Sequence, residues 1–330
     1  MKKYLFIVVF IYTAYCHTQD IHWSMQFENP IYQNPCNSGL KNSDFRVSMN
    51  YRNQWKSVTK SFNTFSLSCD KKINTNNRIG VGAIIINDDA GDGKLKTLEI
   101  RGNVNYTLYK PINERYIITI GIDIGLNYRK FNFEDYKFES QYNGLMFQQN
   151  LPSNEAIQNN QKINAIIGSG IKYDYIINAK QNINIGYTIF NLNKPNQGFY
   201  GVPLYRDRRH HVSVNINTRM NKKIKAIYTI NLQHQLTYNE VISGLKLNYN
   251  ALFKNKQYTL CLGLYNRNKD AIICQFGISK SNWIGNLSYD INYSSLSIAS
   301  KGKGASEISI QYLLKKQKTK INQPTCTDFY

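Results

Sequence analysis

The chain has 330 residues, of which 42% are hydrophobic and 19% are charged, and its mean hydropathy is −0.47. These values exclude a bundle of transmembrane helices, because each spanning helix needs about 20 mostly apolar residues. An excess of 41 Lys and Arg over 21 Asp and Glu gives a net charge of +20, which raises the question of nucleic-acid binding.

The N-terminal residues have the pattern of an export signal, which bears on the nucleic-acid question. An apolar run at residues 4–15 follows Lys2 and Lys3 and precedes a small or polar stretch. This is the pattern of a secretory signal peptide, which we place at residues 1–18. Because an exported chain seldom meets nucleic acid, we expect no nucleic-acid partner.

From residue 44 onward the apolar residues recur with a period of two. One segment places Ile118, Ile120, Ile122 and Ile124 on one face, and its other face carries polar or small residues: Thr119, Gly121, Asp123 and Gly125. Ordinary strands have about five or six residues, whereas strands of membrane barrels have about 9 to 11. The length of these segments predicts strands that cross a membrane, with one face to lipid and one to a polar lumen.

The same alternation predicts fourteen strands, and an even number suits a closed antiparallel outer-membrane β-barrel. Because two segments are apolar on both faces, 12 and 16 strands are alternatives to this count. The predicted strands cover residues 44–52, 61–70, 78–87, 95–109, 115–129, 162–174, 181–191, 209–218, 224–238, 240–253, 257–266, 271–279, 283–293 and 305–314.

The links between these strands predict the orientation of the barrel. Every even-numbered link is short, whereas the odd-numbered links include the two longest, residues 130–161 and 192–208. Outer-membrane barrels have short periplasmic turns and longer outer loops. We therefore expect a plug or periplasmic segment at 19–43, the barrel at 44–314 and a basic periplasmic tail at 315–330.

Lysines crowd the predicted periplasmic turns and the tail. Solvated turns explain many of them, but a basic periplasmic rim would also attract an acidic partner or lipid headgroups. The candidate rim residues are Lys71, Lys72, Lys222, Lys223, Lys254, Lys256, Lys315 and Lys316.

No catalytic, cofactor or metal site is indicated. His210 and His211 are adjacent and point to opposite faces of a strand, so they cannot share a metal ion. The Asp88-Asp89 segment is better explained as a hairpin turn than as a cation loop. The five cysteines after the signal peptide are widely spaced, which favours free thiols; a disulfide between Cys36 and Cys326 is the alternative.

Several sequence blocks together resemble the PorP/SprF family of type IX secretion system membrane proteins. The first runs from Gln19 to Phe27 and is followed by Asn29-Pro30, Tyr32 and Asn34-Pro35. The others are Tyr51 to Trp55, Asn87 to Gly91, Ser288 to Asp290 with Ser294 to Leu296, and Glu307-Ile308.

The resemblance implies an outer-membrane barrel that assists secretion, or anchors clients such as gliding adhesins at the cell surface through their C-terminal sorting domains. It implies outer-membrane lipid, a sorting-domain protein and a periplasmic type IX or peptidoglycan-associated lipoprotein as partners. Two alternatives are a porin or transporter for small solutes and a soluble periplasmic β-sandwich. The candidate partner-binding or outer-loop residues are Tyr51, Arg52, Trp55, Asp88, Asp89, Arg206, Arg208 and Arg209.

Overall fold

The computed structural model describes residues 20–39, 44–54, 61–73, 78–91, 95–111, 115–132, 136–154, 160–199, 203–294, 297 and 302–314. Fourteen strands are present within these residues. They are β1 (Phe45–Gln54), β2 (Phe62–Lys72), β3 (Ile79–Ala90), β4 (Leu95–Tyr109), β5 (Tyr116–Lys130), β6 (Gln161–Asn178), β7 (Gln181–Phe190), β8 (Arg209–Arg219), β9 (Ile224–Gln235), β10 (Tyr238–Phe253), β11 (Lys256–Arg267), β12 (Ala271–Lys280), β13 (Trp283–Asn292) and β14 (Lys303–Leu314).

Each strand pairs antiparallel with its sequence neighbours, and β1 pairs with β14, so the sheet closes into a barrel. This confirms the predicted fourteen-stranded barrel and excludes a β-sandwich. Most strand ends lie within two residues of the prediction, and three differ by more. Strand β3 continues to Ala90 and β6 to Asn178, and β9 ends at Gln235 because Leu236 adopts a positive φ of 53° in the following turn.

The alternation of side chains places a polar face inside the barrel and an apolar face outside. On β5, Thr119, Asp123 and Asn127 are buried in the lumen, whereas Ile122 and Ile124 are 50% and 61% exposed on the outer face. Exposed apolar side chains on every second residue are what a bilayer requires of a barrel wall. Among the described residues, no helix has the length and apolar character needed to cross a membrane.

The longest links all lie at the same end of the barrel. Links 73–78, 110–115, 179–180, 220–223, 254–255 and 281–282 lie at one end, which we call the short-turn mouth. The opposite end, the long-loop mouth, carries links 131–160, 191–208 and 293–302 together with the shorter links 55–61, 91–94, 236–237 and 268–270. Strand β1 starts at the short-turn mouth, which the loop-length rule assigns to the periplasm.

Residues 20–39 lie inside the barrel, and we call them the plug. The plug contains a 3-10 helix (Gln26–Glu28), the short helix α1 (Pro30–Gln33) and a second 3-10 helix (Pro35–Asn37). Pro30 and Pro35 each occupy the first turn of a helix, where a missing amide proton costs little. A further 3-10 helix, Glu139–Gln141, lies in link 131–160.

Glycines in the barrel wall make room for the plug. A Cβ atom on Gly170 would lie 2.5 Å from Asn34 Oδ1, and one on Gly80 would lie 2.4 Å from the Ser38 carbonyl oxygen. Gly170 and Gly80 lie on β6 and β3, so the wall is thinned on strands that face the second half of the plug.

Candidate functional site

The plug runs through the lumen from one mouth to the other. Its first described residue, Asp20, contacts Gln235 and Arg206 at the long-loop mouth. Its last, Gly39, donates its amide to Asp70 Oδ2 at 2.6 Å near the short-turn mouth. Because the described plug spans the barrel, the lumen is occupied along its length.

At the long-loop mouth, the plug is held by ion pairs that we call the Asp20 cluster: Asp20, Glu99, Arg206 and Arg209. Arg206 Nε donates to Asp20 Oδ1 at 2.5 Å, and its Nη1 donates to Glu99 Oε1 at 2.6 Å. Arg209 Nε lies 3.3 Å from Asp20 Oδ2. One arginine of link 191–208 thus bridges a carboxylate of the plug and a carboxylate of the wall.

The electrostatics of the Asp20 cluster favour its ionised form. Burial would raise the pKa of Asp20, but Arg206 and Arg209 outweigh that effect and hold the pKa well below its usual value. Burial would likewise lower the pKa of Arg206, yet Asp20 and Glu99 raise it above its usual value. The bridge therefore stays charged throughout the physiological range.

Deeper in the lumen, Ser24 of the plug sits in a second set of charges, the Ser24 cluster: Ser24, Arg52, Arg267, Asp290 and Glu307. Ser24 Oγ donates to Asp290 Oδ2 at 2.7 Å and accepts from Arg52 and from Arg267, the latter at 2.9 Å. The Ser24 amide donates to Glu307 Oε2 at 2.7 Å. All four charged side chains are at most 4% exposed.

Arginine pairs with carboxylates within the Ser24 cluster as well. Arg267 Nη1 lies 3.0 Å from Asp290 Oδ2, and Arg52 lies 3.4 Å from both Asp290 and Glu307. Buried charges are tolerated only when paired and hydrogen-bonded. The four wall residues pair with one another, and Ser24 of the plug adds a donor to Asp290 and an acceptor for both arginines.

The middle and the far end of the plug are also held by polar contacts. Glu28 Oε1 accepts from Lys246 at 2.8 Å and from Gln275 at 3.1 Å. Beyond it, the Asn34 amide donates to the carbonyl oxygens of Ile171 and Tyr187 at 3.3 and 3.4 Å. At the far end, Asp70 accepts the Gly39 amide and pairs with Arg46 at 2.8 Å, so contacts to charged groups hold the plug at both mouths.

The structure corrects the predicted outer-loop set. Arg52 is not in a loop, because β1 continues to Gln54 and turns Arg52 into the lumen. Arg209 is likewise a buried lumen residue, at the start of β8. Arg206 does lie in link 191–208, but its side chain points inward to Asp20. Of the three predicted arginines in this region and Arg52, Arg208 alone is an exposed loop residue, and its Nε donates to the Leu192 carbonyl at 3.2 Å.

The remaining loop candidates are separate from one another. Tyr51 faces outward from β1 and is 40% exposed. Asp88 and Asp89 belong to β3 rather than to a hairpin turn, which begins at Gly91 with a φ of +50°. Asp88 Oδ1 accepts from Thr64 at 2.6 Å. Trp55 lies outside the described residues.

The lysine rim is solvent-facing where it is described. Lys222 and Lys223 are exposed in one short turn, and Lys254 and Lys256 flank another. Lys71 and Lys72 extend β2 instead of starting a turn, and Lys72 is half-buried. Lys315, Lys316 and Cys326 lie outside the described residues, and Cys36 is a buried free thiol.

No metal site is built by the part of the chain that is described, where no three His, Cys, Asp or Glu side chains come together. His210 and His211 do diverge. His210 Nδ1 bonds the Tyr187 hydroxyl on the outer face at 2.8 Å, and His211 Nε2 bonds Gln26 in the lumen at 3.0 Å.

Sequence reasoning did not find the partners of the plug. Arg52, Arg209 and Arg267 all fall on lumen-facing positions of their strands. A buried arginine requires a partner, so their alternation phase alone indicates that the lumen contains carboxylates. The alternation does not identify those carboxylates, because residues that meet in the lumen lie far apart in the sequence. Ser24 and Glu307, for example, are 283 positions apart.

Together, the lipid-facing wall and the occupied polar lumen define an outer-membrane β-barrel that holds its own residues 20–39 in the lumen. The chain belongs to the family of type IX secretion system membrane proteins PorP/SprF, whose model matches residues 16–312. It is thus a secretion-system barrel and not a member of an enzyme family, and its family and fold support an outer-membrane location.

Solved structures with the same fold share little sequence with this chain. The CymD monoaromatic hydrocarbon channel is 9% identical, with a TM-score of 0.52 over 88% of this chain and 93% of that one. The TodX deltaS2S3 mutant monoaromatic hydrocarbon channel is also 9% identical, with a TM-score of 0.50 over 87% and 94%. These similarities establish the fold alone. A comparison with curated proteins found no match.

Proposed function

We propose that this barrel is a docking component of the type IX secretion system rather than a conduit for solutes. Its long-loop mouth holds a secreted client, such as an adhesin, through the client's C-terminal sorting domain and assists its secretion or retention at the cell surface. Its short-turn mouth contacts a periplasmic component of the machinery, a type IX or peptidoglycan-associated lipoprotein.

The occupied lumen is the observation that carries this proposal. Opening a path for solutes would require the plug to leave, which would break the ion pairs of Asp20 with Arg206 and Arg209 and remove Ser24 from four buried charges. Removing one partner from a buried ion pair costs about 3–5 kcal/mol. With the lumen occupied, the loops and the turns are the surfaces left for partners.

The short-turn mouth has the charge for a periplasmic contact. Lys222, Lys223, Lys254 and Lys256 project from neighbouring turns into solvent. Clustered like charges attract an oppositely charged surface over about one Debye length, 8 Å at physiological ionic strength. An acidic face on a periplasmic lipoprotein fits this rim.

Affinity purification from outer membranes in mild detergent tests the docking function. The full chain is expected to recover a sorting-domain protein and a periplasmic type IX component. Lys222→Glu with Lys223→Glu should lose the periplasmic component and keep the client. A control for the loss of the periplasmic component reverses Lys96 and Lys269, two exposed lysines at the long-loop mouth, and should keep that component. Recovery of neither partner by the wild-type chain overturns the proposal.

Conductance in planar bilayers separates docking from the alternative, a porin or transporter for small solutes. The wild-type barrel should show no stable open pore, and deletion of residues 20–39 should produce one. A stable wild-type pore of defined size would favour transport.

A further inference from the structure

An apolar cavity of about 410 Å³ lies at the long-loop mouth, outside the plug. Residues from β4, β5 and links 131–160 and 191–208 line it, and four of them are aromatic. The principal ones are Leu95, Phe131, Tyr136, Phe138, Phe199 and Leu204. A cavity of this size is in the range that binds small molecules.

A single buried cation, Arg129, lies at the edge of this cavity. It is 6% exposed at the end of β5 and lines both the apolar cavity and an adjoining polar cavity of about 340 Å³. Its Nη1 donates to Gln197 Oε1 at 2.7 Å, and its guanidinium lies 5.8 Å from the centre of the Phe199 ring.

Arg129 differs from the other buried arginines of this mouth in having no carboxylate partner. Within the described residues, Arg101, Arg206 and Arg209 each lie within 4.0 Å of an Asp or Glu oxygen, and Arg129 does not. Asp88 also lines the polar cavity, but it bonds Thr64 and forms no ion pair with Arg129.

The apolar lining and the Arg129 guanidinium together determine which class of ligand fits the cavity. A guanidinium presents five N–H donors in a planar fork that matches a carboxylate, and Gln197 occupies only one nitrogen. Leaving a buried charge unpaired is costly, so an anion that reaches Arg129 gains more than it would at the surface. The aromatic rings beside it accept an apolar group of one or two rings.

We propose that this cavity binds a carboxylate attached directly to an aromatic or short apolar group. The carboxylate pairs with Arg129, and the apolar group packs between Phe138, Phe199 and Leu204. Two sources carry that chemistry: a free small acid, or the last residue of a polypeptide. The site is independent of the docking function proposed above, because it needs no type IX partner to form.

Ligand-observed fluorine NMR on the full chain in lipid nanodiscs tests this site, with empty nanodiscs as the blank. The probe is 4-(trifluoromethyl)benzoate, and 4-(trifluoromethyl)benzamide is its neutral counterpart. The acid should bind at least about 10-fold more tightly than the amide, the effect expected of a hydrogen-bonded charge pair. Equal binding of acid and amide by the wild-type chain overturns the proposal without any variant.

Variants assign the binding to Arg129. Arg129→Met should weaken binding of the acid by about 10-fold or more and leave binding of the amide unchanged. Arg129→Lys should give an intermediate loss of affinity for the acid. Arg208→Met removes a nearby exposed arginine that lines neither cavity and should change nothing. Heat-modifiable migration on gels reports whether each variant keeps its barrel. Full binding of the acid by a folded Arg129→Met variant contradicts the site.

Competition distinguishes the two sources. The tripeptide Gly-Gly-Phe with a free carboxylate, compared with its C-terminal amide, should displace the probe if polypeptide ends are accepted. Binding of the small acid without displacement by either tripeptide supports a site for free acids.

Discussion

Arg52→Met is the sharpest test of how the plug is held. The substitution keeps most of the side-chain volume of a fully buried residue and removes its charge. Glu307 loses the arginine that lies 3.4 Å from it, and Asp290 keeps only Arg267. Ser24 Oγ loses one of its two arginine donors.

The expected cost follows from the one contact that Arg52 makes to the plug. Arg52, Asp290 and Glu307 all belong to the barrel wall, so their ion pairs persist when the plug leaves. The substitution removes the hydrogen bond from the guanidinium to Ser24 Oγ, and a hydrogen bond to a charged group contributes about 1.5–3 kcal/mol. Since 1.4 kcal/mol is a tenfold change, departure of the plug should become about 10- to 10²-fold more frequent.

Hydrogen exchange followed by mass spectrometry measures that change in the region where it occurs. Peptides covering residues 20–29 should exchange faster in Arg52→Met, whereas peptides from β5 and β6 should keep their protection. Arg208→Met is the matched control, since its arginine is exposed and bonds only a loop carbonyl. Unchanged protection of residues 20–29 in Arg52→Met would refute the claim that the buried charges around Ser24 hold the plug.

Two further predictions concern the two ends of the plug. Gly170→Val should destabilise the short-turn half of the plug by about 1–3 kcal/mol, because its Cβ would lie 2.5 Å from Asn34 Oδ1. Faster hydrogen exchange of peptides covering residues 33–39 measures this change. In the control Gly102→Val the added Cβ meets open space, so hydrogen exchange should stay unchanged. The Asp20 bridge should survive mild acid: its depressed pKa means that the stabilisation is present above the usual Asp pKa of about 3.9 and is lost only as the pH falls below it. In planar bilayers the wild-type barrel should therefore stay closed from pH 7 to pH 5, whereas the Asp20→Asn variant should open more often at every pH in this range. Opening of the wild-type barrel near pH 5 would contradict the claim that ionised Asp20 holds the plug.

The barrel was predictable because the bilayer imposes a strict local rule. Lipid on one side and a polar lumen on the other force alternation in every strand, so β4 and β5 are visible from their own residues. The strand ends were less accurate. Asp88, Asp89 and Lys72 have turn-like composition, but ladder pairing with a neighbouring strand keeps them extended.

The contents of the lumen could not be read in the same way. Asp20 pairs with Arg206, and Glu28 with Lys246, across separations of 186 and 218 positions. Nothing local to Arg206 distinguishes it from Arg208, two residues away, which stays in solvent. The direction of each side chain depends on the path of the link and on the presence of the plug.

Charge complementarity ties the plug to the basic character of the chain. Between residues 20 and 39 the sequence has two carboxylates, Asp20 and Glu28, and no Lys or Arg. These carboxylates pair with Arg206 of link 191–208 and with Arg209 and Lys246 of the wall. The plug is thus an acidic ligand that is covalently attached to the barrel whose cations it pairs. Any partner that displaces the plug must bring carboxylates of its own, because Arg209 and Lys246 would otherwise lose the carboxylates of the plug.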